Sequence, residues 1–381
     1  MPQTIYLDYN ATTPLAPEVL EAMRPFLETE FGNPSSSHAF GDIPRRAVDS
    51  ARSRVAGFLG CKPEEIIFTS GGTEANNHAI KSAAMLHSDR GKHIVTSQIE
   101  HPAVLQVFRF LERQGFEATY LPVDETGRVS AGMLESEIRP DTILISIMHS
   151  NNEVGTVQPI AEIAGIAEKH GILMHTDAAQ SAGKIRTTTD ISGLSLLSIA
   201  GHKLYAPKGI GALYIKTGLH LEPFCHGAGQ EGGRRAGTEN VSMIAGLGKA
   251  CEIAERDFDK NFTHMQHLRD RLEAKISAEI SDAKINGPPQ HKLPNTLSIS
   301  FYDLAANRIL DEIKDQVAAS AGAACHADTV SVSHVLSAMS LDEKWAKGTL
   351  RLSTGRMSTE AEITRAAEII TAAVKKLKAA H

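Results

Sequence analysis

The chain has 381 residues, 42% hydrophobic and 22% charged, which favours a large globular domain with a smaller companion. A net charge of −6 gives no attraction for nucleic acid or an anionic membrane, and no apolar run approaches membrane-spanning length. Cys61, Cys225, Cys251 and Cys325 form no Cys-x-x-Cys pair, arguing against a metal site or disulfide framework, and the N-terminus lacks a basic-then-apolar leader, so the cytoplasm is the expected compartment.

In chain order, a short strand-like Ile5-Tyr6-Leu7 precedes two helices expected to start near Pro17 and Asp42, with the loop Phe31 to His38 between them. From Ile66 onward apolar strand patterns recur: Ile66–Thr69, Ile94–Thr96, Ala118–Leu121, Ile143–Ile147, Ile172–His175, Leu196–Ile199 and Ile210–Ile215. Helical runs around Val104-Phe108-Leu111 and Ile160-Ile163-Ala167 separate several of them, the second closed by Gly171. Alternation of this kind predicts an α/β fold with a mainly parallel sheet covered on both faces, functional groups gathering at the carboxyl ends of the strands. After about Asp257 long polar helices and a strand at Thr296–Phe301 take over, and the last helix opens with a Thr359-x-x-Glu362 capping box. The expected division is a large domain, 15–257, and a smaller α+β domain, 1–14 plus 258–381, carrying Cys325.

Lys203, in Gly201-His202-Lys203 between two apolar runs, is the position the other motifs serve. A buried ammonium without a partner is costly, and one escape is an imine with pyridoxal 5′-phosphate, which needs an acid at the ring nitrogen and donors at the phosphate. Taken alone, the window favours a snorkelling surface lysine at a strand end, and the other motifs reverse that reading. Asp177 at a strand end suits a protonated ring nitrogen, and Gln180, about one turn on, the ring hydroxyl. Gly72-Thr73 opening a helix suits a phosphate, although a tight turn uses the same glycines. His202 offers a further phosphate donor. His101 before Pro102 is placed to stack on a flat ring or to cap the helix, and Asn152 to bond a ring oxygen or make a turn. Cys325, in Gly322-Ala323-Ala324-Cys325-His326-Ala327-Asp328, has neighbours too small to pack it firmly, which suits a mobile, exposed nucleophile. Arg351, flanked by Leu350 and Leu352, needs an anion: a substrate carboxylate, or an internal Asp or Glu.

Together these segments resemble the cysteine desulfurases and selenocysteine lyases of the class-V, fold-type-I pyridoxal-phosphate enzymes. The resemblance runs nearly end to end, through Tyr6–Pro14, Gly32-Asn33-Pro34-Ser35-Ser36, Thr69–Glu74, Glu100-His101, Asn151-Asn152-Glu153, Asp177-Ala178-Ala179-Gln180, Gly201-His202-Lys203, Arg235-Ala236-Gly237-Thr238 and Leu350–Ser353. It implies Lys203 as the cofactor lysine, His101 on the ring, Asp177 at its nitrogen, and Asn152 and Gln180 at the ring oxygen or substrate. It further implies Gly72, Thr73 and His202 at the phosphate, Thr238 reaching across from a second subunit of a homodimer, Asn33 and Arg351 on the substrate carboxylate, and Cys325 as sulfur acceptor.

The implied reaction converts L-cysteine to L-alanine and a persulfide on Cys325, for onward transfer to an acceptor protein. Selenium release from L-selenocysteine is the alternative. A class-V aminotransferase, which has no use for Cys325, and a non-enzymatic sulfur carrier or scaffold stand as rival readings. Three departures bear on this choice. Ala200 stands where many desulfurases have a serine; the run around Cys325 is closer to that of selenocysteine lyases; and the chain ends at His381 without the tail that docks an iron–sulfur scaffold.

Overall fold

A computed structural model describes residues 4–326 and 329–380 and, over 323–326 and 329–331, the backbone alone. Seven strands form the principal sheet: β1 Ile66–Thr69, β2 His93–Ser97, β3 Glu117–Leu121, β4 Thr142–Ser146, β5 Leu173–Asp177, β6 Leu196–Ala200 and β7 Gly211–Ile215. Their order across the sheet is β1-β7-β6-β5-β4-β2-β3. All pairings are parallel except those of β7, which runs against both β1 and β6.

Both faces of this sheet are covered, and the strand sequences show why. Ile66 and Phe68 pack with Val55, Leu59, Ile244 and Leu247 on one side. Ile67 between them packs with Ile80, Val104 and Phe108 on the other. The same period of two sends Ile145 and Leu197 to the first core and Leu144 and Leu196 to the second, so near-continuous apolar strands are what a two-sided sheet requires.

A separate core gathers Ile5 and Leu7 with residues between Leu268 and Leu377. It lies on a four-stranded antiparallel sheet of Ala283–Asn286, Thr296–Phe301, Ser320–Ala321 and Thr349–Ser353. The last helix, Glu360–Ala379, has the anticipated Thr359–Glu362 capping box. Helix Ala39–Leu59 begins a turn before the expected Asp42, because the chain is already helical ahead of Pro44. The run around Cys325 also departs from expectation: Ala323–His326 pairs antiparallel with Thr329–Val332 as a hairpin, not an irregular loop.

Candidate active site

The carboxyl ends of β5 and β6 and the N-terminus of helix Gly72–Leu86 open onto one cavity of about 310 Å³, at the lower end of the range for small-molecule sites. Gly72, Thr73, His101, Asn152, Asp177, Gln180, His202, Lys203 and Arg351 all line it, together with Asn10, Asn76 and Ala200. Two expected residues are elsewhere. Asn33 is exposed on its loop and accepts a hydrogen bond from Ser35 N at 2.9 Å. Thr238 lies in a different depression with Thr69, Ser70 and Arg235. Within a single chain neither reaches the cavity. The Cys325 side chain lies outside the described part of the molecule.

Lys203 closes a 3-10 turn, Gly201–Lys203, directly after β6. Its Nζ donates to the main-chain oxygens of Asn10 and Ala11, each at 2.7 Å. Burial, then the nearby Arg351 guanidinium, pushes its pKa down to about 8, with Asp177 and Asp8 pulling the other way. The N-terminal segment also buttresses this turn from behind: Thr13 N and Oγ1 donate to His202 O, and Tyr205 N donates to Thr13 Oγ1.

Asp177 is the last residue of β5 and is buried. Its Oδ2 accepts from Asn76 Nδ2 at 2.6 Å and its Oδ1 from Ala179 N at 2.9 Å. Asn76 escaped the sequence reading, though it stands three residues after Thr73 and shares its helix face. Its Oδ1 is buried without a hydrogen-bond partner, and the residue lines the same cavity. Gly71 at φ +148° lets the chain turn sharply into the helix. A side chain on Gly72 would come within 3.2 Å of Ala200 Cβ. That close approach leaves the helix's first amides and Thr73 free to meet an anion.

His101 caps helix Pro102–Glu112, its Nδ1 accepting from Ala103 N at 3.1 Å. Burial lowers its pKa, more than Asp177 raises it, so the ring is held neutral with its proton on Nε2. Of the two roles the sequence offered, the helix cap occupies Nδ1, and the same residue lines the cavity. His202, driven down to about 4 by burial and then by Lys203, shares a 3.2 Å contact between Nδ1 and Thr12 Oγ1.

Arg351 serves the cavity and an internal carboxylate together. Its Nη2 donates to Asp8 Oδ1 at 2.8 Å and Ser320 Oγ at 3.1 Å, while its Nε is buried and unpartnered. Asp8 is the internal acid the sequence left unnamed. Asp177, the two histidines and the anion-ready helix end form a donor set that fits pyridoxal phosphate, whose aromatic nitrogen, ring face and phosphate each need one of them. No group of three or more His, Cys, Asp or Glu able to hold a metal occurs among the described residues.

The aminotransferase class-V family model matches residues 5–366. A protein named cysteine desulfurase IscS from Dictyoglomus turgidum is 47% identical over 379 residues, covering 99% of this chain and 96% of that one. Another of that name, from Methanosarcina thermophila, is 45% identical over 377 residues, covering 99% and 93%. Among solved structures, a NifS-like protein superposes with a TM-score of 0.92 at 36% identity, covering 98% of this chain and all of that one. A structure described as SspA in complex with cysteine gives 0.81 at 38% identity, covering 93% and 100%.

Proposed function

Because this chain belongs to the cysteine desulfurases of the aminotransferase class-V family, pyridoxal-phosphate enzymes, we propose that the cavity residues divide the work of removing sulfur from L-cysteine as follows. Bound at Lys203, the cofactor supplies a sink for the electron pair left when the substrate's Cα loses its proton. Asp177, its second oxygen restrained by Asn76, is the acid that keeps the ring nitrogen protonated. Thr73, the amides from Gly72 onward and His202 hold the phosphate, while Asn152 and Gln180 meet the ring oxygen.

Lys203 Nζ takes the Cα proton once substrate has displaced it. An amine lowered to about 8 is neutral often enough near pH 7 to act as that base. His101 moves a proton at Nε2, the edge its helix cap leaves free. Arg351 grips the substrate carboxylate, with Asn33 joining it. The Cys325 thiolate then attacks the substrate sulfur and the Cβ–S bond breaks, leaving a persulfide on Cys325. The electron pair of that bond stays with the carbon skeleton, which departs as L-alanine after gaining one proton at Cβ and regaining one at Cα.

The observation that carries this reading is the opening of Asp177 and Lys203, from adjacent strand ends, onto one cavity. Alanine formation from L-cysteine and from L-selenocysteine, measured side by side, tests it: turnover of L-cysteine with a persulfide on Cys325 is expected. Alanine from selenocysteine alone would make the chain a selenocysteine lyase instead.

We further infer a homodimer in which Thr238 reaches the partner's cofactor. Phe31 and Phe40, both exposed and flanking the loop bearing Asn33, bring their rings within 5.7 Å, and such an apolar pair suits a subunit contact. The large domain is assigned to 15–257 and the small one to 1–14 with 258–381, supported by a core that unites Ile5 and Leu7 with residues after Leu268. No helix among the described residues is long and apolar enough to cross a membrane. The cytoplasm, whose reducing conditions keep thiols free, is the compartment that suits a persulfide carrier and a protein acceptor for its sulfur.

A further inference from the structure

Beneath the cavity lies a second lysine, Lys184, to which the reaction assigns no task. Its side chain is 5% exposed. The charges that face it, Lys203 and Arg351, are both cations, and burial followed by these two holds its pKa well below the ordinary lysine range. A buried amine without a carboxylate is an expensive choice where an apolar chain of similar length would pack.

What it does make is two hydrogen bonds. Nζ donates to Gln180 Oε1 at 2.7 Å and to Asn10 Oδ1 at 2.9 Å. Both acceptors belong to residues whose other ends touch the cofactor lysine's surroundings. Gln180 Nε2 donates to the Asn10 main-chain oxygen at 2.9 Å, and Lys203 Nζ donates to that same oxygen at 2.7 Å. Asn10 Oδ1 has a second donor, Asn295 Nδ2 at 3.0 Å, whereas Lys184 is the donor that Gln180 Oε1 has.

We propose that Lys184 is a positioning residue: it holds the Gln180 amide with its oxygen turned inward and its NH2 edge toward the cavity, and steadies the Asn10 carbonyl that grips Lys203. The two ends of a glutamine amide have nearly the same shape, so only their partners decide which way it points. Lys184 needs no charge for this, since a neutral amine has two N–H groups and two acceptors are present. Without it, the Gln180 amide keeps a single restraint, the Nε2 bond to the Asn10 main-chain oxygen, and turns its oxygen more readily toward the cavity, where it would repel the cofactor's ring oxygen. This inference rests on the reading that Gln180 meets that oxygen.

Lys184→Met in the full-length protein tests it by two readouts besides turnover: the dissociation constant for pyridoxal phosphate, and the midpoint of the pH titration of the bound cofactor's absorbance band. Cofactor affinity is expected to fall about tenfold, the equivalent of one hydrogen bond, with the titration midpoint displaced. The cofactor-free protein should melt no lower than the parent, since an apolar chain replaces a buried amine. Parent-like affinity and midpoint overturn the proposal. Lys184→Gln, which retains an N–H donor and carries no charge, is expected to match the parent, and a Met-sized shift there overturns the donor role even where the Met variant does not fold. Gln180→Ala separates two failures. Parent-like values in that variant sink the ring-oxygen reading itself, whereas a shift there beside an unshifted Lys184→Met sinks the positioning role alone.

Discussion

Two regions meet at Lys203 and contribute in opposite ways. The strand-end wall supplies side chains: Asp177 from β5, His202 and Lys203 after β6, Thr73 at the helix start. The N-terminal segment, residues 8–13, supplies chiefly main-chain oxygens and anchoring bonds, through Asn10 and Ala11 to Lys203 and through Thr13 to the turn behind it. The wall decides which chemistry is available; the segment decides where the amine sits. Residue types announce the first role, whereas a carbonyl acceptor belongs to every residue and announces nothing.

The sharpest way to break this division is at the wall. Lys203→Ala should remove the cofactor's lysine-linked absorbance and lower alanine formation by about a thousandfold or more, the range of a lost base; a variant retaining both removes the assignment. Cys325→Ala should form no persulfide while still binding cofactor with the parent's spectrum, which mass analysis after a single exposure to L-cysteine would check. Asp177→Asn keeps the hydrogen-bonding shape and removes the charge, so turnover should drop about a hundredfold with the protein still folded. Equal turnover would mean that the ring nitrogen needs no anion here.

The setting in which the segment holds the amine is read by pH. Lys203, lowered to about 8 chiefly by burial and next by Arg351, must be neutral to bond the cofactor's aldehyde. The rate at which cofactor-free protein takes up pyridoxal phosphate should therefore climb with pH to a midpoint of about 8, and a midpoint near 10 would mark an ordinary exposed lysine. The linkage sign agrees. A folded-state pKa below the unfolded one makes this group destabilising under about pH 8, and the penalty fades as pH rises toward the unfolded value. The smallest effect is expected at Ala200, which lines the cavity beside Gly72. Ala200→Ser adds a donor near the phosphate and should tighten cofactor binding about fivefold, measured by equilibrium titration.

Legibility followed the same line. Strands such as Ile66–Thr69 could be read directly, because a sheet buried on both faces demands unbroken apolar runs. Lys203, Asp177, His101 and Arg351 stood out because each is a polar residue beside such a run, and all four line the cavity. Asn76 was visible in principle, one helical turn from Thr73. Lys184 was not, since a lysine four residues after Gln180 reads as a solvent-facing neighbour until burial is known. Asn10 and Ala11 act through their backbones, and Asp8 pairs with Arg351 from 343 residues away, a distance no local pattern spans. The strand Ala323–His326 was hidden by its own composition, since small residues specify a strand weakly, although its partner Thr329–Val332 is largely β-branched.

Reduction of the cofactor-loaded protein with borohydride, followed by peptide mapping, addresses the cofactor lysine most directly. The account predicts a single pyridoxyl label, on Lys203. A label on Lys184 or Lys208, with Lys203 unmodified, would contradict it.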